Sequence, residues 1–189
     1  MNLRAKEVSI IAMSTALYAL FFFLSGLITV TKFTLLYLPI ILLGVFPNWF
    51  GLSGLTGSMI GAFIGGYFVE GLGFLAWIES VTILIIYGLN WVLISKTAAE
   101  GKTKRSLFML LSVYAVTLFV GTNYILWQFT IVGLLPPGLA EIILLPTFGL
   151  NIVIEVIICP VLMKTLSQKL KNMGIYYGNF WEWRNRIKP

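Results

Sequence analysis

Three apolar stretches of the chain each carry a row of polar side chains at helical spacing. Glu79, Thr82, Ile86 and Asn90 follow i, i+3, i+7, i+11 on one helix face. Thr147, Asn151 and Glu155 follow i, i+4, i+8, and Asn123 and Trp127 are four apart. Ionisable groups at membrane depth cost about 2.5–3.5 kcal/mol on insertion scales, so they face a cavity or a partner. Three such rows fit one shared internal site. At about 1.5 Å per residue, Glu79 falls about 8 Å below one face, Asn151 about 18 Å, and Glu155 and Asn90 about 24 Å. The outer group of Glu79, Asn123, Trp127 and Asn151 is expected to line a ligand pocket that Trp77 and Tyr37 close. The bland alternative is that these groups satisfy one another across helices, as buried polar side chains do. The deeper Glu155 and Asn90 fit a hydrogen-bonded structural link.

The chemistry on offer is binding rather than bond breaking. The chain has no histidine, which removes the commonest general base and the commonest metal ligand. Gly51-Leu52-Ser53-Gly54 matches the GxSG of intramembrane serine proteases, but nothing is present to take the serine proton. Gly101-Lys102-Thr103 resembles the end of a phosphate-binding loop, yet position 96 holds Lys96 where that loop needs glycine. Cys159 is the single cysteine and sits beside Pro160 in an apolar stretch, where a thiolate is unfavourable. No enzymatic activity, cofactor or metal is expected.

These rows must be carried by membrane helices. Of 189 residues, 59% are hydrophobic and 11% charged, with mean hydropathy +0.94, against about 25% charged in an ordinary soluble domain. A helix crossing about 30 Å of hydrocarbon needs about 20 apolar residues. Six spans are predicted, at about 7–27, 33–46, 50–68, 74–95, 106–130 and 139–166, in an all-α membrane domain over 1–173. Pro47-Asn48, Glu70-Gly71, Lys96–Arg105 and Pro136-Pro137-Gly138 punctuate them. Six spans put twelve of the thirteen cations on one side and leave only Lys32 on the other. The positive-inside rule then predicts both termini in the cytoplasm, with net charges of +9 inside and −3 elsewhere. Basicity therefore reports orientation in a cell membrane and not a nucleic-acid partner. The remaining residues, 174–189, mix Tyr176, Tyr177, Phe180, Trp181 and Trp183 with Arg184, Arg186 and Lys188. Such a mixture suits the lipid headgroup region.

Two rows of small residues invite close helix contact. Gly57, Gly61 and Gly65 are spaced by four, and so are Ala12 and Ala16. The glycine row is expected to pack within the chain, with dimerisation as the sharper alternative.

Taken together, six helices, both ends inside and this chain length resemble the substrate-binding S component of energy-coupling-factor (ECF) vitamin transporters. Ala12 and Ala16 are similar to that family's AxxxA contact with its transmembrane T component. Leu38-Pro39-Ile40-Ile41-Leu42-Leu43-Gly44 and the glycine-rich third span resemble its second and third helices. In thiamine-specific members a glutamate on helix four and an asparagine on helix six bind substrate, and Glu79 and Asn151 fall in similar places. The segment Leu134–Leu166, with Leu150-Asn151 and Pro160, resembles the tryptophan-specific members, from which the third span departs.

The resemblance implies capture of a small vitamin or related micronutrient at the outer face, for uptake with a T component and two cytoplasmic ATPases. Lys32 is the only cation on that side, and Glu79, Trp77 and Trp127 favour a neutral, aromatic or cationic solute. The alternative is a secondary carrier or small channel that acts alone.

Overall fold

A computed structural model describes residues 3–27, 36–71, 73–100, 103–136 and 138–187. Lys32, residues 33–35 of the second predicted span, Gly101-Lys102, Pro137 and Lys188 lie outside the described residues. The described residues form helices and no strand: α1 (Leu3–Leu27), α2 (Ile40–Glu70), α3 (Gly73–Leu93), α4 (Lys96–Glu100), α5 (Lys104–Ile131), α6 (Leu139–Asn172) and α7 (Phe180–Ile187). Among them α1, α2, α3, α5 and α6 are long and apolar enough to cross a membrane. The chain is thus an all-α, multi-pass membrane protein.

Its packing is that of a protein solvated by lipid. Val8, Phe23, Phe108, Val116, Ile142, Leu145, Val153 and Ile157 are exposed, whereas Asn48, Asn90, Asn151, Glu155 and Thr117 are buried. Apolar side chains outside and hydrogen-bonding groups inside match a solvent that offers no hydrogen bonds.

The second and third predicted spans appear as one helix, α2, whose backbone breaks at Gly51 (φ 50°, ψ −133°). That conformation is open to glycine and strained for other residues, so the break falls at Gly51 and not at Pro47-Asn48. Pro47 stays inside the helix. A Cβ on Gly54 would lie 3.5 Å from the Phe46 carbonyl oxygen. Eight residues of straight helix would separate those positions by about 12 Å. The chain therefore folds back, and α2 consists of a first limb (40–50) and a second limb (52–70).

Contacts fix the direction of each limb. The first limb runs with α6: the Tyr37 N–H just before it donates to Asn151, and Trp49 Nε1 donates to Ser167 Oγ. The second limb runs against α3, with Gly66 on Ala76, Ser80 Oγ donating to the Met59 carbonyl and Tyr87 Oη to that of Gly51. It runs alongside α1 through the glycine row, Gly57 on Ile11 and Ser14, Gly61 on Thr15 and Tyr18, Gly65 on Phe22. The row thus packs within the chain, and backbones without Cβ atoms approach closely enough for Thr15 Oγ1 to donate to the Gly57 carbonyl at 3.1 Å.

A break in a helix frees carbonyls, and each needs a donor. Tyr87 Oη donates to the Phe46 and Gly51 carbonyls, while the N–H groups of Tyr177 and Gly178 donate to those of Trp49 and Asn48. The C-terminal segment is therefore docked on the bundle. Trp91 Nε1 donates to Gly178, its ring lies 5.4 Å from Phe180 and 5.1 Å from Trp183, and Lys96 pairs with Glu182 at 3.2 Å. Trp181, with Arg184 5.9 Å over its ring, faces outward.

Tyr87→Phe is expected to leave the Phe46 and Gly51 carbonyls without that donor, at a cost of about 1–3 kcal/mol. Thermal unfolding in detergent checks this, and an unchanged midpoint would contradict the role given to Tyr87.

Candidate functional site

Tyr37 and Leu38 lie in a turn just before the first limb begins, so helical carbonyls do not take up their N–H groups. Side chains from two helices take them up. Tyr37 N–H donates to Asn151 Oδ1 at 2.8 Å, and Leu38 N–H donates to Ser25 Oγ at 2.9 Å. Asn151 is held in turn by its own amide, which donates to the Thr147 carbonyl at 2.8 Å. The Tyr37 hydroxyl lies 2.6 Å from that of Tyr18 and donates to Glu79 Oε2 at 3.4 Å. Phe22 meets the Tyr37 ring edge-on at 5.5 Å. A carboxyl, an amide and three aromatic rings from α1, α3, α6 and the approach to α2 thus meet around Tyr37. Glu79 is only 5% exposed.

This group sits toward the end of the bundle where α3 begins, opposite the end that carries Lys6, Trp91 and the C-terminal segment. It offers one carboxyl, two phenol hydroxyls and an amide beside aromatic surface. Those are the parts needed to bind a small polar solute with aromatic or cationic character.

Of the residues read from the sequence, Glu79, Tyr37 and Asn151 come together. The depths read from the sequence put Asn151 about 10 Å below Glu79 within the outer group, but α6 has 34 residues, about 51 Å at 1.5 Å each. It overhangs a 30 Å layer, so counting from its first residue exaggerates the depth of Asn151. Trp77 (63% exposed) and Trp127 (60% exposed) face the outside of the bundle instead. Asn123 is half-buried and donates to the Phe119 carbonyl of its own helix at 2.8 Å. Ala12 and Ala16 are exposed on α1, away from the face that meets the glycine row.

Sequence reasoning missed Tyr18, Phe22 and Ser25. The signal was present as a polar row on α1, Ser14, Tyr18 and Ser25 at i, i+4, i+11, with Phe22 between.

A second buried group lies deeper. Asn90 Nδ2 donates to the Leu43 carbonyl at 3.2 Å, Thr117 Oγ1 donates to Asn90 Oδ1 at 2.8 Å, and Tyr114 Oη donates to the Gly44 carbonyl at 2.9 Å. Glu155 and Cys159 close this group from α6. Asn90 therefore does link helices, through α5 and the first limb. The two motifs set aside above have structural roles: Gly51 of Gly51-Leu52-Ser53-Gly54 is the break, and Thr103 forms a capping box with Ser106 at the start of α5. Compared with known proteins, the chain matches no family model, no curated protein and no solved structure.

Proposed function

We propose that this chain is the substrate-capture subunit of an ECF-type importer. It binds a small water-soluble vitamin or related micronutrient, neutral, aromatic or cationic, at the outer face of the cell membrane. A T component with two cytoplasmic ATPase subunits drives uptake. The observation that carries this reading is the meeting of Glu79, Asn151 and Tyr37 with two further aromatic rings near one end of the bundle.

Two features support the topology that goes with it. The limbs of α2 run in opposite senses, so six segments alternate in direction through α1, the two limbs, α3, α5 and α6. The excess of positive charge at the end opposite the Glu79 group supports a cytoplasmic position for that end and for both termini. The exposed Ala12 and Ala16 leave α1 a smooth strip for the T component.

Co-expression with a T component and its ATPases tests the reading. Ala12→Leu with Ala16→Leu is expected to prevent recovery of the four-part complex while solute binding by the isolated chain persists. Recovery of the intact complex would remove the assigned role of that strip. Uptake by vesicles that contain only this chain, driven by an ion gradient, would instead identify a stand-alone carrier.

A further inference from the structure

Tyr37 and Leu38 are pinned at every backbone polar group. The Tyr37 carbonyl accepts from the Ile40 N–H at 3.1 Å, and the Leu38 carbonyl accepts from that of Ile41 at 3.2 Å. Pro39, the N-cap of the first limb, has no N–H to place. The N–H groups of Tyr37 and Leu38 therefore stand ahead of the helix as orphan donors. Asn151 Oδ1 takes the first from α6, and Ser25 Oγ takes the second from α1.

Both acceptors are themselves held in place. Ser25 Oγ donates to the Phe21 carbonyl at 2.8 Å, and Asn151 Nδ2 donates to the Thr147 carbonyl at 2.8 Å. Each bond reaches back four residues along its own helix, so each side chain is tied at its donor and presents its oxygen in one direction. Both side chains are buried, and a buried amide that loses such an acceptor finds no water to replace it. Tyr18, whose hydroxyl lies 2.6 Å from that of Tyr37, is seven residues before Ser25. That spacing puts the two on one face of α1, which thus holds Tyr37 by its hydroxyl and Leu38 by its backbone.

We propose that Ser25 and Asn151 are positioning residues of the capture site. Together they clamp two consecutive backbone amides and so hold the Tyr37 hydroxyl against Glu79 and Tyr18. The hydroxyl reaches Glu79 Oε2 at 3.4 Å, longer than an ideal hydrogen bond, so a small shift of the backbone breaks the contact. With one point of the clamp gone, residues 37 and 38 pivot on the other, and the Tyr37 side chain moves with them. The clamp itself is independent of the capture reading, whereas its effect on a solute rests on that reading.

The test uses the full chain in detergent and two readouts. The first, hydrogen exchange resolved at single amides, needs no solute. Ser25→Ala is expected to speed exchange at Leu38 about tenfold or more, and at Tyr37 as well although Asn151 is unchanged, because the clamp acts as one unit. Amides further along the first limb stay protected, which separates release of the clamp from loss of the fold. Ser25→Thr, which keeps a hydroxyl able to bond the carbonyl four residues back, restores the protection. The second readout is affinity for the compound released from the purified wild type. Ser25→Ala weakens it about tenfold, but by no more than about twofold when Tyr37→Phe is already present. If Ser25→Ala fails to fold, Asn151→Leu serves in both readouts. Unchanged exchange at Tyr37 and Leu38, or equal weakening with and without Tyr37→Phe, would overturn the proposal. A wild type that releases no compound while exchange responds as expected removes the capture reading and leaves the clamp.

Discussion

A Glu79→Gln chain is expected to bind its solute about 10- to 100-fold more weakly while it melts close to the wild type. The range corresponds to losing one hydrogen bond to a charged group, about 1.5–3 kcal/mol. Glu79 is buried on α3 at the point where Tyr37, Tyr18 and Asn151 are linked, and it brings the one carboxyl to that group. Glutamine keeps the shape and still accepts from the Tyr37 hydroxyl, so the fold is left alone and the carboxyl is removed. Titration calorimetry against the solute that travels with the purified chain measures the ratio. Equal affinity in the two proteins would remove Glu79 from the site.

The largest effect on stability is expected from Gly61→Leu. A Cβ at Gly61 would lie 2.7 Å from the Thr15 carbonyl oxygen and 2.7 Å from Tyr18 Cβ. The first of these is backbone, so no rotamer change relieves the clash, and α1 must separate from the second limb. Overpacking of this kind costs roughly 3 kcal/mol. It also displaces Tyr18, and with it the hydroxyl that meets Tyr37 at 2.6 Å. Gly88→Ala on α3 is the control, because a Cβ there meets nothing within 4 Å. Alanine also favours helix over glycine by about 1 kcal/mol. The expected order of unfolding midpoints is therefore Gly88→Ala at or above wild type and Gly61→Leu far below. Similar midpoints for the two variants would contradict the α1 packing described.

Much of this architecture was legible because lipid leaves few choices. Long apolar runs had to become helices, and α1, α3, α5 and α6 begin and end within a few residues of the predicted spans, apart from the extended C-terminal end of α6. The glycine spacing foretold close packing, and Glu79 with Asn151 was readable from helical periodicity. Other features depend on geometry that periodicity does not carry. The sequence points to Pro47-Asn48 as the break, and the observed break at Gly51 rests on a backbone conformation that favours glycine. Trp77 is two residues from Glu79, about 200° around a helix, so it faces outward where Glu79 faces in. The partnership of Tyr37 with Asn151 spans 114 residues, and local pattern says nothing of it.

The central claim is that the group around Glu79 captures a solute. Mass spectrometry of small molecules released from chain purified in detergent tests it most directly. The expected result is one small aromatic or cationic compound, close to stoichiometric with the wild type and lost from Glu79→Gln. Recovery of no such compound, or of the same compound in equal amount from both proteins, would contradict it.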